Sequence, residues 1–345
     1  MQKIVITSDE ENQRLDRFLK KYLRAAPLSL IYRIIRKDVK VNGRRAAIDT
    51  VLKGGDEIDL FLDDVRLEGL LREHRTVKAA KRFKVIYEDD NILIVSKPVG
   101  LLTHGDEKEK RNTLANQVLG YLLENGCYDP AAARSFTPSP VNRLDRNTTG
   151  LVIFGKNPKA IRDLNNMIRH KGAVDKYYLT VVKGMLNAER SLQDRILKDE
   201  ALNRVTVLPT DAAEGRLSET KVRPVRALKG YTLVEVHLVT GRSHQIRAHL
   251  AEAGYPVIGD RKYGNAADNK RISQRFGLNS QFLHACRIEI NAGRESLEYL
   301  TGMRFECALP ENFANIVDAL ADAENENKSL KNEQVQTDKR KGTYE

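Results

Sequence analysis

Cysteine is scarce in this chain of 345 residues. The three cysteines, Cys127, Cys286 and Cys307, are far apart in the sequence and odd in number. A disulfide framework is therefore not expected, and we predict a reducing, cytoplasmic environment. No pair of Cys or His residues has the spacing of a zinc site, so we expect no structural metal.

Long apolar runs are also lacking. No stretch approaches the roughly 18 apolar residues that a membrane-spanning helix needs. The first residues, MQKIVITSDEENQ, lack the apolar core of a signal peptide. Charged residues make up 30% of the chain and apolar residues 41%. This composition predicts a soluble globular protein, long enough for two domains and a sizeable core.

Common cofactor signatures are absent as well. The sequence contains neither the glycine-rich loop of P-loop proteins nor a strand followed by a Gly-x-Gly turn that opens a helix. No serine stands in a nucleophile elbow. These absences weigh against ATP-driven and methyl-donor chemistry.

An uneven positive charge is present instead. The net charge is +11, and eleven Lys or Arg residues face two acidic residues between Arg14 and Arg45. Such charge often belongs to a merely solvated surface, but here it falls on a segment with folded patterning. We therefore predict an anionic polymer, RNA or DNA, as the partner. The candidate contacts in this segment are Arg14, Arg17, Lys20, Lys21, Arg44 and Arg45.

Residues 1–63 predict a small module of two basic helices and a short β segment. Apolar residues at helical spacing are Leu15, Phe18, Leu19, Tyr22 and Leu23 in the first helix and Leu30, Ile31, Ile34 and Ile35 in the second. Ser29 is the predicted N-cap of the second helix, and Asn42-Gly43 predicts a hairpin turn. Residues 64–82 are basic and lack a clean period, so we interpret them as a linker.

From residue 83 to residue 324 the pattern changes. Strands are predicted in KVIYEDDNILIVSKP, TGLVIFGKN, KYYLTVVKG and YTLVEVHLVTG, and helices in TLANQVLGYLLENG and RSHQIRAHLAEAG. The strands outnumber the helices and do not alternate strictly with them. This predicts an α+β domain with a mixed, mainly antiparallel sheet. Residues 325–345 are polar and are predicted to be disordered.

Two polar clusters at strand edges are the candidates for chemistry. The first contains Arg143 and Asp145, and a carboxylate beside a guanidinium stays ionised as a nucleophile or base. A simple salt bridge in a turn would have the same pattern. The second cluster, residues 241–247, places Arg247 in the first turns of a helix, which also suits an ordinary surface helix. Arg242 and His244 are predicted RNA contacts, and His244 lies on a different helix face from His249, so a shared metal is not expected.

The stretch RLDRNTTGLVIFGKN resembles the catalytic motif of the RluA-like pseudouridine synthases, the ribosomal large-subunit type. Further motifs of that family are similar, in the same order, to VIYEDDNILIVSKPVGLLTH, KYYLTVVKG, LVTGRSHQIRAHLAEAGYPVIGDRKYG and FLHACRIEI. Together these stretches span most of residues 83–310, and residues 1–63 resemble the α-L RNA-binding domain. The chain departs from the family at Asn142, often His, and at Thr149, often Ser. Neither departure alters the Arg-Leu-Asp core of the motif.

The resemblance implies isomerisation of uridine to pseudouridine in a central active-site cleft, without cofactor or metal. Asp145 matches the family's invariant aspartate, which either attacks C1′ or removes a proton from C2′. Arg247 matches the arginine that pairs with this aspartate. Tyr178 matches the tyrosine that packs on the uracil and is a candidate acceptor of the C5 proton, whereas Tyr177 should face the other side of the sheet. Arg143 matches the arginine that fills the space left by the flipped nucleotide.

The implied substrate is large-subunit rRNA, free or in a pre-ribosome, and we expect a monomer that binds it in the cytoplasm. Two alternatives stay open. One is tRNA as the substrate, because relatives modify both kinds of RNA. The other is an inactive rRNA-binding protein on the same scaffold, against which the intact Asp145, Tyr178 and Arg247 argue.

Overall fold

The computed structural model describes residues 1–71, 80–130 and 132–321. The residues from Ile4 to Leu67 share one hydrophobic core, and the larger core begins at Phe83. We call residues 1–71 the N-terminal module and residues 80–321 the sheet region. The predicted disordered tail and residues 72–79 of the predicted linker lie outside the described residues.

The N-terminal module consists of β1 (Gln2–Val5), α1 (Leu15–Tyr22), α2 (Leu28–Asp38), β2 (Val39–Val41), β3 (Glu57–Leu60) and α3 (Asp64–Leu71). Among the described residues its strands form a three-stranded antiparallel sheet in the order β1-β3-β2. The apolar faces predicted for the first two helices are buried, with Leu30 partly so. Asn42 and Gly43 have φ angles of 50° and 75°, which confirms the tight turn between Val41 and Arg44.

Two local predictions in the module were wrong. Helix α2 begins at Leu28 after Pro27, so Ser29 lies inside the first turn and does not cap the helix. The segment Asp64–Leu71, interpreted as part of a linker, is a helix. Its start is stabilised by Asp63, whose side chain accepts a hydrogen bond from the backbone N–H of Arg66 at 2.8 Å. Leu67 anchors this helix in the core of the module.

The sheet region contains the strands β4 (Lys84–Glu88), β5 (Ile92–Lys97), β6 (Ser139–Pro140), β7 (Thr149–Gly155), β8 (Val174–Lys183), β9 (Arg190–Asp199), β10 (Arg204–Leu208), β11 (Arg216–Leu228), β12 (Tyr231–Leu238), β13 (Leu283–Ile290) and β14 (Arg304–Glu306). Within the described residues these eleven strands form one sheet, mainly in the order β10-β9-β11-β12-β8-β13-β7-β5-β4. Its helices are α4 (Leu114–Glu124), α5 (Pro158–Arg169), α6 (Gln245–Glu252), α7 (Ala266–Phe276) and a 3₁₀ helix (Glu295–Leu300). The predicted α+β class with a mixed, mainly antiparallel sheet is confirmed.

Strands β7 and β13 are parallel neighbours, with Thr149 opposite His284 and Gly150 opposite Ala285. The two strands approach so closely that a Cβ atom at position 150 would lie 2.2 Å from the carbonyl oxygen of Ala285. Gly150 also has a φ of 108°, which few side chains tolerate. Glycine at the start of β7 therefore lets β13 join the half of the sheet that carries β7 to the half that carries β8.

Helices α5 and α7 and strands β9 to β11 were not predicted. For α5 the sequence contains a clear signal, because Asn157 caps the helix by accepting a hydrogen bond from Ala160 N at 2.8 Å and Pro158 follows at its first position. Strand β9 is mostly exposed, with only Ile196 buried. A strand that is largely solvent-exposed on both faces has no alternation of apolar and polar residues from which it could be predicted.

Candidate active site

A cavity of about 360 Å³ opens where the loop before β7, strand β8 and the start of α6 meet. Its volume is in the range of pockets that enclose small ligands. Six of the predicted site residues line it: Arg143, Asp145, Tyr178, Arg242, His244 and Arg247. The fold therefore brings both polar clusters and the tyrosine motif to one place.

The guanidinium of Arg247 holds a carboxylate on each side. Its Nη1 donates to Oδ2 of Asp145 at 2.8 Å, and its Nε and Nη2 donate to the two oxygens of Asp260 at 2.6 and 2.8 Å. Arg247 is 5% exposed and Asp260 is 0% exposed. Burial raises the pKa of Asp260, but the hydrogen bonds and charge of Arg247 outweigh it and the pKa lies below its usual value. Because the bidentate pair fixes the guanidinium plane, the third donor has a set direction toward Asp145.

Sequence reasoning did not single out Asp260. It lies between two tightly packed glycines: a Cβ at Gly259 would meet the Ser280 carbonyl oxygen at 2.2 Å, and one at Gly264 would meet that of Asp260 at 2.3 Å. Oδ1 of Asp260 also accepts hydrogen bonds from the backbone N–H groups of Lys262 and Tyr263, at 2.9 and 3.2 Å. The glycines flanking an aspartate in GDRKYG were the available signal.

Lys97 stabilises the loop that carries Asp145, and sequence reasoning did not single it out either. Its ammonium is 0% exposed and donates to the carbonyl oxygens of Leu101, Arg146 and Pro98 at 2.7, 2.9 and 3.1 Å. Burial lowers the pKa of Lys97 to about 7, whereas the charge of Asp145 raises it. Three carbonyl acceptors favour the ammonium form, since only that form has three N–H groups. The end of β5 is thereby fastened to the loop that carries Asp145.

Tyr178 and Tyr177 lie on opposite faces of β8. Tyr178 is 6% exposed and lines the cavity, and burial followed by the charge of Asp145 raises its pKa well above the usual value. Tyr177 stacks on His237 with ring centroids 4.8 Å apart, and the guanidinium of Arg287 lies 3.8 Å from the centre of its ring. The alternation of the strand thus directs only one tyrosine of the pair to Asp145.

His244 sits at the start of α6 with its Nε2 3.9 Å from Oδ2 of Asp145. Its backbone is left-handed, with φ 52° and ψ 14°. His249, five residues on, is buried in the core with Nδ1 3.0 Å from Thr220 Oγ1, and burial lowers its pKa to about 4. The two histidines have separate surroundings.

Arg143 and Arg242 are exposed at the rim of the cavity. The two departures from the family motif have structural partners. Asn142 accepts a hydrogen bond from Ile153 N at 2.8 Å and donates to Leu151 O at 3.3 Å. The Thr149 hydroxyl lies 2.8 Å from His284 Nδ1. Both residues thus fasten the segment around Asp145 to neighbouring strands.

The predicted contacts in the N-terminal module lie apart from the cavity. Arg17, Lys20, Lys21, Arg44 and Arg45 are exposed, whereas Arg14 is half-buried and bonded to Asp16 through two contacts of 3.0 Å. Lys20 and Lys21 line a second groove of about 550 Å³ between the module and the sheet region. The exposed cations of the module are therefore separate from the cavity, whose Arg247 is buried.

Comparison with known proteins defines the class first. The family model described as RNA pseudouridylate synthase matches residues 91–252. The solved structure of Human RNA Pseudouridylate Synthase Domain Containing 4 has a TM-score of 0.53 at 19% identity, covering 67% of this chain and 90% of that chain. At this identity the likeness shows the fold alone.

Closer likeness is found among curated proteins. Ribosomal large subunit pseudouridine synthase C of Escherichia coli (strain K12) is 34% identical over 296 residues, covering 83% of this chain and 87% of that protein. The protein of the same name from Vibrio cholerae serotype O1 is 33% identical over 300 residues, with coverage of 84% and 88%. The chain belongs to the RNA pseudouridylate synthase family and is an isomerase that forms pseudouridine in RNA. The resemblance to the RluA-like branch is confirmed.

Within residues 1–71, 80–130 and 132–321, no helix is long and apolar enough to cross a membrane. The same residues contain no group of three or more His, Cys, Asp or Glu side chains placed to hold a metal ion.

Proposed function

We propose that this protein converts specific uridines of large-subunit rRNA to pseudouridine, with Asp145 as the reacting carboxylate. The names of the similar bacterial proteins support the substrate class. The observation that carries the assignment of the residue is the arrangement around Arg247. A buried guanidinium, fixed by Asp260, holds Asp145 by one oxygen at the wall of a nucleoside-sized cavity.

The contacts of Asp145 favour one of its oxygens for reaction. Arg247 Nη1 and His244 Nε2 both face Oδ2, at 2.8 and 3.9 Å. We therefore assign Oδ1 as the reacting oxygen. It either forms an ester bond to C1′ while N1 leaves with the bonding electrons, or takes the C2′ proton as that bond breaks. In the first version the freed uracil turns and C5 bonds to C1′ as the ester C–O bond breaks and releases the carboxylate. In the second version C5 of the turned uracil bonds to C1′ of the glycal, and C2′ takes its proton back from the carboxyl group. In both versions the C5 proton is lost as N1 gains one.

The target uridine has to leave its stack to reach this oxygen. A base inside a helix is out of reach, and extrusion costs a few kcal/mol. Arg143 lies exposed at the rim of the cavity, beside Asp145 in sequence. In the proposed function its side chain takes the place that the flipped nucleotide leaves, and the exposed cations of the N-terminal module offset the cost through phosphate contacts.

Tyr178 is proposed to pack on the uracil. Since burial and the charge of Asp145 raise the pKa of its hydroxyl, the phenol stays neutral at neutral pH. A neutral phenol accepts a proton poorly. This favours ring packing over the second proposed role, acceptance of the C5 proton.

Asp145→Asn tests the assignment, because the amide keeps the size of the side chain but cannot act as nucleophile or base. Tritium release from C5-labelled uridine in a large-subunit rRNA transcript should fall below detection, while filter binding of the transcript stays within about twofold. Asp175→Asn is the matched control. Asp175 is half-buried and bonded to His237 and Asn291 at 2.9 and 2.8 Å, away from the cavity. The control should release tritium like the wild type.

Wild-type release by Asp145→Asn would contradict the role of the aspartate. The substrate class is tested separately by mapping pseudouridines in total RNA from a deletion strain and its parent. Loss of sites in tRNA with rRNA unchanged would overturn the rRNA assignment and leave the isomerase in place.

A further inference from the structure

Tyr263 lies behind the wall of the cavity, in the turn that follows Asp260. Its hydroxyl accepts a hydrogen bond from the backbone N–H of Val205 in β10 at 2.8 Å and lies 2.9 Å from Nδ1 of His244. The guanidinium groups of Arg247 and Arg204 lie over its ring, 5.2 and 5.3 Å from the centroid. One side chain thus contacts the β9–β10 hairpin, the start of α6 and the partner of Asp145.

The hydroxyl contacts determine where the imidazole proton resides. A phenol has a single hydrogen to donate, and the Val205 N–H already uses the oxygen as an acceptor. Among the described residues, Nδ1 of His244 is the remaining hydrogen-bond partner of this hydroxyl. If a neutral imidazole carries its proton on Nε2, the hydroxyl can donate to Nδ1, whereas a proton on Nδ1 would leave the phenol hydrogen without an acceptor among the described residues.

The other ring nitrogen faces the reacting carboxylate. His244 Nε2 is 3.9 Å from Oδ2 of Asp145, too long for a hydrogen bond in the free protein. Catalytic hydrogen bonds are often long without substrate and shorten when it binds. Since Arg247 contacts the same oxygen, a bond from His244 would leave Oδ1 as the free oxygen.

The backbone supports this placement of the ring. A histidine with φ 52° is in a region that side chains other than glycine seldom adopt, so the surrounding structure has to hold it there. The next residue, Gln245, is 2% exposed and anchors the turn. Its amide bonds Thr240 Oγ1, Arg242 N, Glu219 O and Thr220 Oγ1 at 2.9, 3.0, 3.0 and 2.9 Å.

We propose that Tyr263 is a positioning residue that holds His244 as its Nε2–H tautomer, so that a neutral imidazole presents a hydrogen-bond donor to the Asp145 carboxylate. The tautomer assignment rests on the two contacts of the Tyr263 hydroxyl. The role of the His244 Nε2–H donor rests on the proposed function, in which Asp145 reacts through Oδ1.

The charges around His244 are consistent with a neutral ring. Burial lowers its pKa, Asp145 raises it, Arg247 and Lys262 lower it, and Asp260 raises it, with a net value below the usual one. At neutral pH the imidazole of His244 is therefore uncharged, and its proton is on either Nδ1 or Nε2.

The tautomer can be measured on the full chain without RNA. Two-bond ¹H–¹⁵N correlation spectra of ¹⁵N-histidine-labelled protein distinguish the tautomers, and the signal of His244 is the one that disappears in His244→Gln. We expect the Nε2–H form in the wild type and a mixture of tautomers in Tyr263→Phe, which keeps the ring but lacks the hydroxyl. Tyr255→Phe is the matched control, because Arg190 lies over the Tyr255 ring at 5.1 Å and donates to its hydroxyl at 3.3 Å. An Nδ1–H form in the wild type, or an unchanged tautomer in Tyr263→Phe, overturns the proposal.

Single-turnover kinetics then test the connection to catalysis. Tyr263→Phe should lower the rate constant about two- to tenfold, the range of one hydrogen bond, with transcript binding unchanged. The double variant Tyr263→Phe/His244→Ala should be no slower than His244→Ala, since alanine removes the donor that Tyr263 is proposed to position. Effects that multiply would contradict the proposal. An inactive wild type would instead contradict the proposed function and leave the spectroscopic result standing.

Discussion

The N-terminal module and the active-site cavity both depend on cations but hold them in opposite ways. In the module, Arg17, Lys20 and Arg44 are exposed to solvent. In the cavity, Arg247 is 5% exposed, and its guanidinium bonds two carboxylates and lies over an aromatic ring. Exposed cations act on RNA almost independently of one another, whereas a buried cation fixes the geometry of its partners.

The largest difference between the two regions should appear in Arg247→Ala. This change leaves Asp145 unpaired and Asp260, 0% exposed, without its bidentate partner. We expect a loss of about 3–5 kcal/mol in the free energy of unfolding, together with loss of pseudouridine formation. Urea unfolding followed by circular dichroism measures the first and tritium release the second.

A surface arginine provides the control. The side chain of Arg223 is 56% exposed and pairs with Glu235, which Arg287 also contacts. Arg223→Ala should change the free energy of unfolding by about 0–1 kcal/mol. If both variants unfolded at the same urea concentration, the distinction between buried and exposed cations would not hold.

Acid should affect the sheet region more than the module, since residues 1–71 contain no histidine. Burial lowers the pKa of His249 to about 4 in the folded chain, and this side chain is 1% exposed. An unfolded chain takes up the proton near pH 6.5, so the stability of the folded form falls as the pH drops from about 6.5 toward 4. We expect this single group to contribute roughly 1–3 kcal/mol to that fall.

His249→Gln removes the titrating group and should reduce the loss of stability between neutral pH and pH about 4.5. The measurement compares urea midpoints at the two pH values in wild type and variant. An equal drop in both proteins would show that other groups carry the acid sensitivity.

The smallest effect on folding should come from the exposed cations of the module. A variant with Arg17, Lys20, Arg44 and Arg45 changed to Ala should unfold within about 0.5 kcal/mol of wild type. Its RNA affinity should fall, and the slope of log affinity against log salt should decrease by about one for each phosphate that is no longer neutralised. Filter binding over a salt titration measures both.

Four paired surface cations outside the module give a control with the same change in net charge: Lys198, Arg223, Arg226 and Arg304, each of which pairs with an acidic residue. Their replacement by Ala should leave the salt dependence close to that of wild type. A similar decrease in slope would mean that overall charge, rather than the module, attracts the RNA.

Local patterns predicted the elements with a strong apolar signal. The faces of α1 and α2 have helical apolar periods, β12 alternates in part, and β5 and β7 are short continuous apolar runs that are buried in the structure. Helix α3 has a weaker pattern, with Leu67 as its buried residue. Strand β9 is largely exposed to solvent on both faces. Apolar periodicity therefore gives little information about helix α3 or strand β9.

The family motifs predicted the candidate reacting residues but not the residues that hold them in place. Asp145, Tyr178 and Arg247 follow from the resemblance to the family, but their supports do not. Lys97 is an ordinary lysine before a proline until folding brings its ammonium to the carbonyl oxygen of Arg146, 49 residues away. Asp260 can be recognised as the partner of Arg247 only when folding places its turn beside that guanidinium. Such partners are chosen by long-range packing, which local sequence does not encode.

The position of β13 between β8 and β7 also means that the sheet can be completed only late in synthesis. Asp145, Tyr178 and Arg247 have all been made once the ribosome has passed residue 247, but in the described sheet β7 and β8 are connected only through β13, residues Leu283–Ile290, which pairs with both. A nascent chain ending before residue 283 would carry Asp145, Tyr178 and Arg247 on two parts of the sheet that β13 does not yet join. The last fifth of the polypeptide, which contains β13, thus completes the sheet that brings these three side chains together.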